Sequence, residues 1–186
     1  MKRAPLLGIL IALAMGLVLA GALTAGPAGA QTKARAPADP WARLSFLAGE
    51  WQGVGTGAPG EAVGGTSFAF GLDKKVLVRK NWAKYPPKPG ETAGLSHEDL
   101  MIVYPGPGGG PFRAIYFDNE GHVISYAVTF PKEGNAALFE SEAGQPGPRF
   151  RLIYELNADG LLDSVFWIAP PGGEFKAYVR GSLRKK

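Results

Sequence analysis

Any acid–base or metal chemistry in this chain must start from two imidazoles, because His97 and His122 are its only histidines and it has no cysteine. Each has a carboxylate nearby. His97 and Asp99 fall on one face of a strand, and Asp118 can sit opposite His122 across a turn, where it would fix the imidazole tautomer. Two such pairs converging across a barrel mouth would be a candidate metal site. Zinc, however, takes three or four ligands dominated by histidine and cysteine, and two histidines fall short. The pairs therefore read as hydrogen bonds at a rim near turns, and no metal or cofactor is expected.

Other chemistries find less support. Glu155 and Asp163 would face each other across a hairpin, about 5 Å apart at Cβ, but on an outer surface where solvent screens both and nothing excludes water, so acid–base work is not expected of them. Nucleophilic catalysis lacks a cysteine and a Gly-x-Ser-x-Gly elbow, and Ser96 beside His97 is adjacency alone. The stretch LSFLAGEWQGVGTG, residues 44–57, spaces its glycines like a phosphate loop. Yet no lysine lies between Arg43 and Lys74, and Pro59, Gly60, Gly64 and Gly65 forbid a following helix. In a strand, Gly53, Gly55 and Gly57 share one face and permit a strong bend, with Trp51 filling the space below.

Composition bounds the partners. Lys2 and Arg3, the apolar run from Leu6 to Leu23 and the small-x-small Ala28-Gly29-Ala30 form a secretory signal peptide over residues 1–30, so a secreted or periplasmic location is expected, with no membrane span after cleavage. Removing that leader takes two of the 20 basic residues, leaving 18 against 16 acidic ones. A near-neutral domain without a basic stripe does not track a nucleic-acid backbone. Residues 31–39, rich in Ala and Pro, read as a linker, and 40–186 as one domain stabilised by packing alone.

The elements that must position these residues are nearly all strands. Asp39 to Gly49 predicts one short amphipathic helix acting as a plug, N-capped by Asp39, with Pro40 in its first turn and Trp41, Leu44 and Leu47 three apart. From Trp51 onward, period-two alternation broken by Gly, Pro, Asn and Asp predicts about ten strands with short connections, suited to a closed antiparallel up-and-down barrel. A glycine-bulge turn at Asn157 to Gly160 sets Leu152 opposite Phe166, Tyr154 opposite Ser164 and Phe150 opposite Ile168, facing inward. The same reading of Asp118 to Gly121 pairs Tyr116 with Ile124 and Ala114 with Tyr126. That face is taken as interior, although Ile115, Phe117, Val123 and Ala127 make the other face apolar too.

Gly49-Glu50-Trp51 after a short helix resembles the Gly-x-Trp signature of the calycins, the lipocalin and fatty-acid-binding-protein-like barrels. The wording FLAGEW and the strand count are closest to nitrobindin and to secreted bacterial domains similar to it, over Trp41 to Arg184. The resemblance implies an all-β, lipocalin-like barrel, a basic residue packed on the tryptophan, here Arg180 or Arg184, and a ligand inside. Nitrobindin-like barrels hold haem through a histidine on a C-terminal strand. No histidine follows position 122, which leaves Tyr178 as a phenolate alternative. Lys176, Tyr178 and Arg180 are similar to a fatty-acid carboxylate clamp, but Phe175, Ala177 and Val179 claim the inside and place that trio outside.

What remains is the interior. Trp51, Phe70, Trp82, Tyr104, Tyr116, Tyr126, Tyr154 and Phe166, with His122 at the rim, are the expected ligand-binding residues, joined by Phe68, Phe150 and Leu152 as lining. The function read from this is non-catalytic binding of a small hydrophobic or amphipathic molecule. Its rivals are an envelope interaction protein whose barrel is filled, with Trp167, Tyr178 and the Arg184 to Lys186 tail meeting a partner, and a barrel enzyme using Asp118 and His122 or a haem protein.

Overall fold

A computed structural model of the chain describes residues 39–58, 62–131, 135–142, 144 and 147–186. The signal peptide and nearly all of the linker lie outside the described residues. The alternation after Trp51 becomes ten strands: β1 (Gly49–Ala58), β2 (Val63–Gly71), β3 (Val76–Tyr85), β4 (Leu95–Gly106), β5 (Gly110–Asp118), β6 (Val123–Thr129), β7 (Ala136–Ser141), β8 (Arg149–Leu156), β9 (Leu162–Ala169) and β10 (Lys176–Lys185). Each is antiparallel to the next, and β1 pairs with β10, so the sheet closes into the expected up-and-down barrel and leaves no free edge.

Turn chemistry sets the register. Asn157 accepts at Oδ1 from the backbone N–H groups of Asp159 and Leu161, Gly160 takes φ +75°, and Leu152, Tyr154 and Phe150 then pair with Phe166, Ser164 and Ile168 as expected. At the β5–β6 turn Gly121 takes φ +90°, and Tyr116 pairs with Ile124 and Ala114 with Tyr126. Ala114, Ile124 and Tyr126 are buried while Phe117 and Val123 are exposed, so this hairpin turns its expected face inward.

Two strands carry the opposite face to the one expected. In β3 the interior positions are Leu77, Arg79 and Asn81, so Trp82 lies on the outer wall, across from Gly65, where a β-carbon would meet its Nε1 at 3.2 Å. In β4 the interior runs Asp99, Met101, Val103, and Tyr104 points outward beside Arg113. Both faces of β3 are apolar at Leu77 and Val78, so alternation alone could not choose between them, and a one-residue slip reverses every side chain.

β10 departs from its expected alternation through a bulge. Ala177 pairs with Trp167 and Val179 with Phe166, which leaves Tyr178 as the extra residue. Phe175 and Ala177 are consequently outside. The Phe175 ring sits under the guanidinium groups of Arg149 and Arg151, at 4.8 and 4.1 Å, on the face opposite Leu152. Only Val179 returns inward, and Lys176, Tyr178 and Arg180 do not share a face.

The glycines of β1 serve curvature, as expected. The register shifts between Val54 and Ala58, Gly55 takes φ +77°, and a β-carbon on Gly53 would come within 3.1 Å of the Gly64 carbonyl oxygen.

The N-terminal segment is not an α-helix. Its backbone bonds run i→i−3, from Ala42 to Asp39, Leu44 to Trp41, Leu47 to Leu44 and Ala48 to Ser45, and only Ser45–Leu47 forms a 3₁₀ turn. A spacing of three suits three residues per turn rather than 3.6, which places Trp41, Leu44 and Leu47 above one another, all buried. Asp39 does cap it, accepting the Trp41 N–H at 2.9 Å.

Trp41 packs on Phe70 and Phe112 at the barrel end where β2 finishes and β5 starts, and Trp51 donates its indole N–H to Leu47 at 2.8 Å. The basic residue over Trp51 is Lys185, with Nζ 5.3 Å from the ring centroid, in place of Arg180 or Arg184. Trp51 pairs with Lys185 and so shares its face, whereas Arg184 pairs with Gln52 and points away.

Candidate functional site

Antiparallel order brings the end of β3, the start of β4 and the β5–β6 turn to the barrel end opposite the N-terminal segment. The interior positions there are polar. Asn81 pairs with Asp99 and Asp99 with Asp118, so β3, β4 and β5 line up an amide and two carboxyl groups across one wall.

One hydrogen-bonded network results. Asp99 accepts from Arg79 Nη1 at 2.5 Å and from Asn81 at 2.9 Å, and its Oδ2 lies 3.3 Å from His97 Nε2. His97 Nδ1 reaches Glu120 at 2.9 Å. The Tyr116 hydroxyl lies 3.3 Å from His97 Nε2 and donates to Asp118 at 3.1 Å. Asp118 also takes the backbone N–H groups of Glu120 and His122 and, at 2.8 Å, His122 Nδ1. The two histidine–carboxylate pairs expected separately at the rim therefore join through Tyr116.

Burial and charge set the proton positions. The hydrogen bond to Asp99 outweighs desolvation and, with Glu120, raises His97 to about 9, so it is an imidazolium at neutral pH. Burial opposes the charge on Arg79, but the Asp99 carboxylate more than compensates and its pKa rises. Burial works against ionised Asp118 as well, yet hydrogen bonds from the His122 backbone and ring hold it below the ordinary carboxyl value. Burial pushes the Tyr116 and Tyr126 phenols up and Tyr154 to about 12, so all three stay protonated.

Across from this wall the mouth is aromatic. Phe150 and Phe166 stack at 5.9 Å with planes 9° apart, and Tyr178 packs edge-on against Phe166. Deeper in, the lumen is filled. Tyr116, Tyr126, Phe139, Tyr154 and Phe68 form a continuous chain of edge-to-face contacts 5.3 to 6.4 Å apart.

The expected ligand-binding residues divide accordingly. Tyr116, Tyr126, Tyr154 and Phe166 face the interior toward the mouth, and His122 stands at its rim with a largely exposed side chain. Trp51 and Phe70 are interior at the other end, while Trp82 and Tyr104 are outside. Arg79, Asn81 and Glu120 were not anticipated. The available signal was Arg79 itself: once the hairpins fix the face of β5, the pairing through β4 turns this charge inward, where it needs a carboxylate. The outer pair Glu155 and Asp163 is present as expected, with Asp163 taking Asn157 and Ser182 as partners and so tying the hairpin to β10.

Among the described residues, no group of three or more His, Asp or Glu side chains is arranged to hold a metal ion, and no helix is long and apolar enough to cross a membrane. Comparison with protein-family models and with curated proteins returns no match.

Proposed function

We propose that this protein is an exported, calycin-like barrel that binds a small amphipathic molecule at its mouth without catalysing a reaction. The observation that carries this reading is the two-sided mouth: the stacked Phe150 and Phe166 on one wall, the Arg79–Asp99–His97–Tyr116–Asp118 network on the other. Apolar surface with a few convergent polar groups is the usual make-up of a small-molecule site. The ring-filled lumen favours a ligand seated at the mouth over one threaded through the barrel.

General-base catalysis by His97 is disfavoured by its bonding. A general base must be free to take a proton, and His97 is held as a cation between Asp99 and Glu120. Export rests on the leader at residues 1–30. The calycin reading rests on Gly49-Glu50-Trp51, with Trp51 buried under Lys185 and the N-terminal segment as plug.

Gentle purification followed by native mass spectrometry should show a retained molecule, and an amphipathic panel should raise the melting temperature, less so for Phe166→Ala. Apoprotein unmoved by the whole panel would sink the binding role. It would favour the second reading, an envelope interaction protein with a filled barrel. That reading is supported by an outer-wall depression of about 610 Å³ flanked by the exposed Trp82 and Phe117.

A further inference from the structure

The outer wall over β3 to β6 carries an apolar stripe. Register sets Leu100, Phe117 and Val123 in one cross-strand row, with Trp82 beside it on β3. Trp82, Phe117 and Val123 are 38%, 37% and 58% exposed, and between Trp82 and Phe117 lies the depression of about 610 Å³. Trp82 is also held in place: its indole lies over Gly65, where even a β-carbon would come within 3.2 Å of Nε1. A fixed, part-exposed indole among apolar neighbours is a common anchor of protein–protein contacts.

Charge decides the partner. Lys80 pairs with Leu100 across the ladder and Glu98 pairs with Trp82, so these four residues form a quadrilateral with the two charges at opposite corners and the two apolar groups at the others. Such diagonal neighbours lie about 7–8 Å apart. Elsewhere on the outer wall Arg113 meets Glu142 and Arg151 meets Glu140, but neither the Lys80 ammonium nor the Glu98 carboxylate has a partner among the described residues. Two identical walls packed face to face are related by a twofold axis lying in the plane of contact. With that axis along the Trp82–Leu100 diagonal, what lies on one side of the diagonal meets what lies on the other. Lys80 then faces Glu98 of the second copy, Glu98 faces Lys80 of the second copy, and Trp82 and Leu100 each meet their own counterparts. A wall with charges of one sign would repel its copy, whereas this one is complementary to itself.

We propose that this wall is an isologous interface through which two copies of the chain associate, with Trp82 as its anchor and two reciprocal Lys80–Glu98 ion pairs fixing its register. The interface lies on the outside of the barrel and is independent of the binding role proposed for the mouth.

The test is sedimentation equilibrium of the mature full-length protein at pH 7 over about 1–500 μM, the range in which a modest interface shows its Kd. The wild type should show a monomer–dimer equilibrium. Lys80→Glu sets carboxylates against each other at both reciprocal contacts, and Glu98→Lys does the same with ammonium groups, so each should weaken the dimer about tenfold or more. An equimolar mixture of the two variants should associate again, because each supplies the charge that the other lacks. Lys80→Glu/Glu98→Lys restores the complementarity within one chain and should dimerise like the wild type. A wild type that stays monomeric throughout, or a dimer indifferent to both single variants, would overturn the proposal. So would a mixture and a double variant no more associated than the single variants, with far-UV circular dichroism showing the barrel intact in each.

Discussion

The Tyr116 hydroxyl donates to Oδ2 of Asp118 at 3.1 Å, and its oxygen lies 3.3 Å from Nε2 of His97. One phenol thus joins two histidine–carboxylate pairs that would otherwise be separate features of β4 and of the β5–β6 turn. Tyr116→Phe should cost about 1.5–3 kcal/mol in denaturant unfolding, the worth of a hydrogen bond to a charged group. It should also lower the His97 titration midpoint seen by NMR, because the network ordering Asp99 against the imidazole loosens. An unchanged midpoint would mean that the two pairs are independent.

Stability should fall on the alkaline side. His97 titrates near 9 in the folded barrel against an ordinary 6.5, so its contribution is complete below about pH 6.5 and disappears as pH rises through 9. Unfolding midpoints compared at pH 6 and 9.5 should therefore drop for the wild type, and His97→Asn should flatten that drop. Asp118 acts in the opposite sense: its folded pKa is lowered, so its contribution is present above the ordinary carboxyl range and is lost on acidification.

The buried Arg79–Asp99 pair should show strong non-additivity. Asp99→Ala leaves a guanidinium at 6% exposure without its carboxylate and should cost roughly 3–5 kcal/mol. Arg79→Met/Asp99→Leu removes both charges and should recover most of that loss, because a pair replaced by packed apolar groups forfeits little. A double-mutant cycle by urea denaturation checks this, and simple additivity would contradict the pairing.

Two glycines of the β1–β2 hairpin should respond to alanine for different reasons. At Gly64 a β-carbon would lie 2.8 Å from the Trp82 carbonyl oxygen, so the strands must separate and Gly64→Ala should cost about 1–3 kcal/mol. At Gly55 nothing stands within 4 Å, and only the positive φ resists substitution. Gly55→Ala should cost about 1 kcal/mol, with D-alanine introduced there by semisynthesis restoring the loss.

The barrel was legible from local rules because they act within a few residues. Gly160 and Gly121 sit where their turns need a positive φ, and those turns fixed the pairing of Phe150, Leu152, Tyr154 and Tyr116. Local rules failed where both faces of a strand are apolar or where a residue is inserted. Leu77 and Val78 gave β3 no preferred side, which misplaced Trp82 and hid Arg79, and the extra Tyr178 reversed Phe175 and Ala177. At the N-terminus the three-residue spacing was visible, but the choice of 3₁₀ over α geometry belonged to the packing of Trp41 on Phe70 and Phe112.

By itself the sequence determined a chain of ten strands that must roll up to hide one face, because alternation and turn residues are properties of neighbours along the chain. Only the tertiary structure decided that Arg79, Asp99, His97, Tyr116 and Asp118 meet. They come from three strands, and whether a side chain on one strand reaches a side chain on another depends on a register that a single residue can shift. Burial then did the rest, since withdrawing those groups from water is what compels them to bond to one another.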